Sequence, residues 1–332
     1  MSKTANNSGA TFPTIGVFDS GFGGLTVLRA LMAQLPRARF AFFGDTARLP
    51  YGSKSRRTIA RYAAQCAQFL VSEQGAEFLV IACNTASALA LDAIQDAVQV
   101  PVLGVIEPGA EAARVASRTS DVLVIATDAT VQSHAYNAAC RARGLRTLEM
   151  ACPLLVPLVE EGWTGPSTEN PAESSVAQVA RKRPLPERPV PQAASTPPQV
   201  AAAPQVHVTA EVIRIYLAEL YAEAAVQEMN PDTLLLGCTH YPLLRPLLEG
   251  AVPDGMKIID SANATAEAAV RLIGTEKRSP SAQDPNAQNS TEQFPATHVR
   301  CFATDSVEKF ERLGSRFLGQ PTGKVVLVDL GG

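Results

Sequence analysis

Two cysteines of this chain occupy matching positions, and a thiol in such a position can serve as an acid or a base. Cys83 follows the apolar run FLVIA and precedes Asn-Thr, whereas Cys238 follows TLLLG and precedes Thr-His. Each run is typical of a strand whose end leads into a helix or turn. Open α/β sheets bind ligands beyond the carboxyl ends of their strands. Two similar lobes that face each other would therefore place one thiol on each side of a shared cleft.

Two thiols on opposite sides of a cleft suit the inversion of a carbon centre. A racemase removes a proton from one face of the carbon and returns a proton to the other, so two acid/base groups must flank the substrate. A helix that begins after Cys83 would lower the pKa of its thiol and favour the thiolate. His240 follows Cys238 closely enough to exchange a proton with it. A buried strand-end cysteine and a structural histidine are the alternatives for these positions.

A glycine-rich segment, DSGFGG at 19–24, follows the first predicted strand and leads into a helix. The helix N-terminus offers free N–H groups to an anion, and Asp19 and Ser20 stand at the mouth of the strand. Thr26 occupies the place of the third glycine of GxGxxG, so a dinucleotide site is disfavoured. A substrate carboxylate fits better, with a capped structural turn as the alternative.

A second loop, GDTARLPYG at 44–52, follows the next predicted strand. Pro50 and Gly52 fix a turn there that can present backbone donors to a ligand. An ordinary surface turn is the alternative.

The composition is typical of a globular enzyme that handles small molecules. The chain has 332 residues, of which 46% are hydrophobic and 18% charged, and its net charge is −3. A single core stops growing at roughly 250–300 residues, so we expect two lobes. Binding nucleic acid as the main partner needs a basic face, which this charge balance does not favour. The sequence contains no apolar run of ~18 residues and no secretory signal, so we expect a cytoplasmic protein without a membrane span.

The six cysteines form no CxxC pair, and a reducing cytoplasm would keep them as thiols. Four of them are predicted to be small buried hydrophobic residues: Cys66, Cys140, Cys152 and Cys301. Cys238 and His240 are disfavoured as zinc ligands because no other residues complete a tetrahedral set. No lysine motif that would anchor a cofactor is apparent either. We therefore expect no metal and no cofactor.

Short apolar runs alternate with amphipathic stretches, which predicts an α/β fold. Runs that are almost continuously apolar are typical of parallel strands buried on both faces. The predicted strands are Ile15–Phe18, Arg39–Phe43, Phe78–Ala82, Val102–Val105, Val122–Ala126, Thr233–Gly237 and Lys257–Ile259. The predicted helices are Leu25–Gln34, Ser55–Gln74, Ala86–Val98, Ser133–Arg143 and Thr209–Glu228.

Two segments depart from this alternation. Residues 165–206 contain nine of the 24 prolines and no aromatic residue, and such a composition cannot bury enough apolar surface to offset the entropy of ordering. We predict a disordered insertion without a catalytic role. Residues 276–297 are predicted to be a second disordered loop of the same kind.

Several sequence blocks together resemble the glutamate racemases of the aspartate/glutamate racemase superfamily. The matching blocks are DSGFGG (19–24), GDTARLPYG (44–52), ACNTAS (82–87), ATDATVQS (126–133), CPLLVPLVEEG (152–162), GCTHYPLL (237–244) and IDSA (259–262). They stand in the order of the family and cover nearly all of the chain outside the two loops. CNTAS and GCTHYP with DSGxGG upstream make a specific combination.

The resemblance implies a metal-free, cofactor-independent enzyme that interconverts L- and D-glutamate and supplies D-glutamate for peptidoglycan. It implies that Cys83 works on the D face and Cys238 on the L face. Asp19 and His240 match the assisting groups, and Glu160 matches an acidic helper, with Glu161 as the alternative register. The implied substrate contacts are Asp19, Ser20, Tyr51, Gly52, Asn84, Thr85, Thr127, Thr130, Thr239 and His240.

The resemblance also implies two pseudo-symmetric α/β lobes with mainly parallel sheets and the active site between them. The first lobe would contain residues 1–98 and 266–332, and the second would contain residues 99–265. The insertion at 165–206 replaces a much shorter connection of the family. Members of the family often form dimers, so a homodimer is compatible with the resemblance, and the small-molecule substrate is the expected partner.

Three other functions are alternatives to this one. Aspartate racemase is the nearest rival, but Asn84-Thr85 and Thr239-His240 fit the glutamate type. Related decarboxylases with a single cysteine are disfavoured because both cysteines are present. A binding or regulatory protein with a racemase fold that has lost its activity is disfavoured. The groups that would carry the activity are all present: Asp19, Cys83, Cys238 and His240.

Overall fold

The computed structural model describes residues 13–164, 207–276 and 298–331. The predicted insertion at 165–206 and all but the first residue of the predicted loop at 276–297 lie outside the described residues. Glu276 ends a helix. Within the described ranges, no helix has both the length and the apolar character needed to cross a membrane.

The described residues form ten strands and twelve α-helices that largely alternate along the chain. The strands are β1 Thr14–Asp19, β2 Arg39–Gly44, β3 Phe78–Ile81, β4 Val102–Gly104, β5 Asp121–Ala126, β6 Arg146–Ala151, β7 Thr233–Gly237, β8 Lys257–Asp260, β9 Val299–Ala303 and β10 Val325–Leu327. The helices are α1 Leu25–Gln34, α2 Arg56–Ser72, α3 Asn84–Leu89, α4 Leu91–Ala97, α5 Ile106–Ala116, α6 Asp128–Ser133, α7 Ala135–Arg141, α8 Leu155–Glu160, α9 Val208–Val226, α10 Arg245–Glu249, α11 Ser261–Glu276 and α12 Val307–Leu318. Short 3₁₀ turns at Tyr51–Ser53 and Tyr241–Leu244 follow β2 and β7.

Two parallel sheets carry the fold, which confirms the predicted α/β class with two lobes. The first sheet has the order β10-β9-β2-β1-β3-β4, and the second has the order β6-β5-β7-β8. Every strand pair in both sheets is parallel. All residues of β1, β3, β5 and β7 are buried, as expected for strands covered on both faces.

The strand pairing places one element on the other side of the predicted boundary at residue 98. Strand β4 lies beyond that boundary, yet it pairs with β3 in the first sheet. Helix α11 in turn packs against both α1 and α5. The residue bounds of the two lobes are therefore a proposal, in which β4 belongs to the first lobe because of its hydrogen bonds to β3.

Two predicted helices are each interrupted. The stretch predicted as Ala86–Val98 forms α3 and α4, which are separated at Ala90. The stretch predicted as Ser133–Arg143 lies across α6 and α7, and His134 between them has a left-handed backbone with φ 55°. Because α3 begins at Asn84, directly after β3, the residues that follow Cys83 start a helix at the end of the strand.

Candidate functional site

Cys83 and Cys238 line one cavity between the two sheets. Cys83 follows the inner strand β3, and Cys238 follows the inner strand β7 of the other sheet. The cavity encloses about 450 Å³, including its opening to solvent, and both thiols belong to its wall. The carboxyl ends of both parallel sheets therefore face a common space, where α/β proteins bind ligands.

Most of the predicted site residues meet in this cavity. Its wall contains Ser20, Tyr51, Gly52, Cys83, Asn84, Thr85, Thr127, Glu160, Cys238, Thr239 and His240. Asp19 and Thr130 lie behind the wall, where they are 1% and 0% exposed. Of the two glutamates that the sequence left open, the one that lines the cavity is Glu160.

The wall also contains residues that the sequence analysis did not name as site residues: Gly21, Leu49, Pro50 and Val156. The first three stand beside predicted residues in the two loops. Val156 precedes Glu160 by one helical turn on α8, so both side chains share one helix face. Adjacency in the motif and helical spacing were the signals that could have identified them.

Cys83 caps the N-terminus of α3 and is held as a thiol. Its Sγ accepts a hydrogen bond from the N–H of Ala86 at 3.4 Å and donates to Ser20 Oγ at 3.4 Å. Burial, together with the nearby charge of Asp19, raises the pKa of Cys83 to about 12. The lowering expected from the helix N-terminus is therefore outweighed, because the dry surroundings disfavour the thiolate. Cys83 is protonated at neutral pH and can donate a proton.

Asp19 lies beneath the Cys83 side of the cavity with half of its carboxyl group unpaired. Oδ2 accepts the backbone N–H of Gly21 at 2.9 Å, whereas Oδ1 is buried and has no hydrogen-bond partner among the described residues. Burial raises the pKa of Asp19, against the opposing effect of His240. A buried oxygen without a partner is costly, so it marks a position where a ligand or water would gain a hydrogen bond.

Cys238 lies in different surroundings, next to an imidazole and a carboxylate. His240 Nδ1 is 3.9 Å from Cys238 Sγ, and Nε2 is 3.4 Å from Glu160 Oε1, an ion-pair distance without hydrogen-bond alignment. Burial alone would lower the pKa of His240, but Cys238 and Glu160 raise it to about 10. At neutral pH the ring is therefore an imidazolium that faces the sulfur.

Glu160 supplies the negative charge behind that imidazolium. Burial favours its neutral form, yet His240 and the ammonium of Lys309 lower its pKa below the ordinary value. Lys309 Nζ donates to Glu160 Oε2 at 3.0 Å. The carboxylate is therefore ionised at neutral pH.

Three threonine hydroxyls join the two sheets at one edge of the cavity. Thr85 Oγ1 lies 3.0 Å from Thr127 Oγ1 and 3.2 Å from Thr130 Oγ1, and the latter two are 2.9 Å apart. A Cβ added to Gly52 would lie 2.9 Å from Thr127 Cβ, so glycine permits this close approach. Hydroxyls that share hydrogens in this way can turn to donate to a carboxylate.

Buried phenols orient two further groups of the wall. Tyr136 donates to Asn84 Oδ1 at 2.6 Å, which leaves the amide nitrogen of Asn84 free to donate. Tyr51 donates to the buried Asp45 at 2.5 Å, and Asp45 also pairs with Arg48. These contacts fix the 44–52 loop and the start of α3 before any ligand is bound.

The described wall holds neither lysine nor arginine, so its donors to an anion are hydroxyls, amides, backbone N–H groups and His240. In the part of the chain that the structure describes, no three His, Cys, Asp or Glu side chains are arranged to hold a metal ion. The arrangement can bind carboxylates by directed hydrogen bonds and can exchange protons at two sulfur atoms.

The chain is similar to proteins of known function. Residues 15–183 match the family model of the Asp/Glu/Hydantoin racemases. Glutamate racemase of Koribacter versatilis (strain Ellin345) is 46% identical over 332 residues, which covers 96% of this chain and 98% of that protein.

Solved structures agree with this match. Glutamate racemase from Francisella tularensis subsp. tularensis SCHU S4, in complex with D-glutamate, is 30% identical with a TM-score of 0.72, covering 96% of this chain and 98% of that one. Glutamate racemase from Thermus thermophilus, in complex with beta-chloro-D-alanine, is 35% identical with a TM-score of 0.69 and the same coverage.

Proposed function

This chain belongs to the glutamate racemase family of the Asp/Glu/Hydantoin racemases, and we propose that it interconverts L- and D-glutamate by proton transfer between two cysteines. The observation that carries the proposal is that Cys83 and Cys238, from different sheets, line one cavity. A single base reaches only one face of the α-carbon, whereas two thiols on facing walls reach both.

In the proposed reaction from L-glutamate, the Cys238 thiolate takes the α-proton, so the C–H bond breaks and an S–H bond forms. The electron pair left on the α-carbon is delocalised into the α-carboxylate. The Cys83 thiol then gives its proton to the opposite face, which yields D-glutamate and a Cys83 thiolate. The reverse reaction exchanges the two roles. The protonated state of Cys83 and the imidazolium beside Cys238 support this starting arrangement.

We propose that the neutral donors of the wall bind the two carboxylates of the substrate. Ser20, Asn84 and Thr85 line the Cys83 side, and Thr239 lines the Cys238 side. Directed hydrogen bonds to the α-carboxylate would stabilise the negative charge that develops on it in the transition state. The carboxyl of Asp19, with its unpaired oxygen, is the proposed partner of the substrate ammonium. His240 and Glu160 would keep Cys238 in its reactive orientation.

The test is a circular-dichroism assay on both enantiomers of glutamate and of aspartate, with no pyridoxal phosphate or metal added. We expect L- and D-glutamate to reach the racemate, and L-glutamate in D₂O to gain α-deuterium with inversion. Cys83→Ala and Cys238→Ala should each reduce racemisation by at least ~100-fold. Cys301→Ala is the control, because Cys301 is a buried thiol outside the cavity wall. Turnover of aspartate alone, dependence on an added cofactor, or full activity of either cavity variant would refute the proposal.

We propose further that the product serves peptidoglycan synthesis in the cytoplasm. All six cysteines are buried free thiols, which fits a reducing compartment. Depletion of the enzyme in its host should cause growth arrest that added D-glutamate relieves. Arrest that D-glutamate leaves unchanged would argue against this role.

A further inference from the structure

Helix α12 belongs to the first sheet by connectivity but packs on groups that surround Cys238. It connects β9 to β10, and both strands pair in the first sheet. The ring of Phe317 on α12 meets the His240 ring edge-on at 5.2 Å. Arg316 donates to Thr164 at 3.1 Å, just beyond α8. Helix α12 therefore contacts both His240 and the segment that carries Glu160.

Lys309 on α12 begins a row of four groups that ends at a reactive sulfur. Its Nζ is 3.0 Å from Glu160 Oε2, the other oxygen of Glu160 is 3.4 Å from His240 Nε2, and His240 Nδ1 is 3.9 Å from Cys238 Sγ. The Glu160 side chain is 14% exposed and that of Lys309 38%. The ammonium is thus at the solvent end of the row and the thiol at the cavity end.

We propose that Lys309 is a positioning residue for the Cys238 side: it fixes the Glu160 carboxylate in the orientation that holds His240 against the sulfur. This proposal rests on the proposed function. Without Lys309, Glu160 Oε2 loses its charged donor, and the side chain gains freedom to rotate away from His240. Because α12 connects two strands of the first sheet and α8 follows β6 of the second sheet, the ion pair also couples the orientation of His240 to the contact between the two halves of the molecule.

The charges that face Glu160 determine how its pKa would change if Lys309 were removed. His240 and Lys309 face it as cations and lower its pKa, while burial raises it. The carboxyl of Asp19 is near enough that the charge of Glu160 raises the pKa of Asp19. Removing the ammonium takes away one of two cations, so the pKa of Glu160 must rise. Activity that needs the carboxylate would then fail at a higher pH than in the wild type.

The test compares Lys309→Met, which keeps the aliphatic stem, with Lys309→Arg, which keeps the charge. We expect kcat/KM of Lys309→Met to fall about tenfold at neutral pH, as for a misplaced catalytic group. The acidic limb of its profile of kcat/KM against pH should move up by about one pH unit. Lys309→Arg should restore the wild-type limb, and Lys324→Met, an exposed lysine near the end of the chain, should match the wild type. Enantiomers have equal free energies, so kcat/KM must change equally in both directions and the limb is the informative readout.

A carboxyl ¹³C titration of Glu160 provides a readout that needs no turnover. We expect its pKa to be higher in Lys309→Met than in the wild type and to return in Lys309→Arg, with Lys309→Gln as a substitute should the methionine variant not fold. An unchanged limb with an unchanged Glu160 pKa would overturn the inference. An equal loss of kcat/KM in Lys309→Met and Lys309→Arg, without a shift of the acidic limb, would also overturn it. That result would indicate that Lys309 contributes through packing alone. A wild type that racemises neither enantiomer would instead defeat the proposed function, and the titration would still decide the role of Lys309.

Discussion

At the scale of residues, the two thiols of the cavity lie in opposite electrostatic surroundings. Cys83 lies near the buried carboxyl of Asp19, and its pKa is raised to about 12. Cys238 lies near the imidazolium of His240. Burial is the main cause of the raised pKa of Cys83, and the negative charge of Asp19 adds to it. The two sulfur atoms are therefore not equivalent: Cys83 holds its proton, whereas Cys238 faces a cationic ring.

The raised pKa of His240 should make the stability of the protein depend on pH. The folded pKa of about 10 exceeds the ordinary 6.5, so the folded state binds more protons between these values. Unfolding becomes easier as pH rises through that window, and the full contribution is present below about 6.5. We expect the thermal midpoint to fall between pH 7 and pH 10, more steeply in the wild type than in His240→Gln. Parallel slopes in circular-dichroism melts of the two proteins would contradict this assignment.

At the scale of elements, the turn before helix α1 approaches the loop after strand β7 so closely that a side chain would not fit. A Cβ on Gly23 would lie 2.3 Å from Thr239 Oγ1 and 2.7 Å from His240 Nδ1. Gly23 precedes α1, and its carbonyl accepts a hydrogen bond from Thr26 Oγ1. The absence of a side chain therefore sets how tightly the two walls of the cavity can close.

Gly23→Ala should impair catalysis more than folding. The added methyl must displace either the start of α1 or the Thr239-His240 pair, and misplacement by about 1 Å can reduce a rate ~100-fold. We expect racemisation to fall at least tenfold while the thermal midpoint changes by a few degrees. The control is Gly274→Ala on α11, where nothing lies within 4 Å of the new Cβ. That variant should keep full activity and gain slightly in stability. Wild-type turnover in Gly23→Ala would show that the walls need not approach this closely.

The elements that the sequence predicted are those with a clear pattern of apolar residues, which is a continuous run for a strand and an amphipathic stretch for a helix. Strand β7 and helix α1 have the predicted bounds. Strand β6 escaped prediction, since its charged Arg146 and Glu149 lie in a half-buried edge strand. Strand β10 has three residues, and two of them are exposed. The break at Ala90 carries neither glycine nor proline, so only tertiary packing could reveal it.

The residues of the candidate site also fall into those that the sequence could predict and those that it could not. Residues beside the two cysteines could be named because their types, small or polar after an apolar strand, indicate a ligand-binding loop end. Lys309 could not be named, since the sequence places it on the polar face of an amphipathic helix and it meets Glu160 only through the tertiary fold. The protonated state of Cys83 was also beyond the sequence, because it depends on burial.

At the scale of the whole molecule, the chain closes on itself across the segment 165–206. Thr209 Oγ1 donates to the carbonyl of Trp163 at 2.6 Å, so the described residues on either side are neighbours. A short linker can therefore span the gap, and shortening a loop changes its closure entropy only slowly.

Replacing residues 166–205 by a short Gly-Ser linker should leave the enzyme folded and turnover within a few-fold of the wild type. The reason is that Trp163 and Thr209, on either side of the segment, already meet. Racemisation and the thermal midpoint of the shortened protein are the measurements. Loss of all activity in a folded shortened protein would show that the segment contributes to catalysis.

The position of β9 has a consequence for how the protein is made. This strand lies between β2 and β10 in the first sheet, although it comes from the last tenth or so of the chain. Until the ribosome has released that final stretch, one side of β2 presents unpaired backbone groups, a template for unwanted association. The same stretch carries α12, so a nascent chain that lacks it would have both sulfur atoms but neither Lys309 beside Glu160 nor Phe317 beside His240. Synthesis of this stretch is thus the step that both pairs the free side of β2 and completes the surroundings of His240.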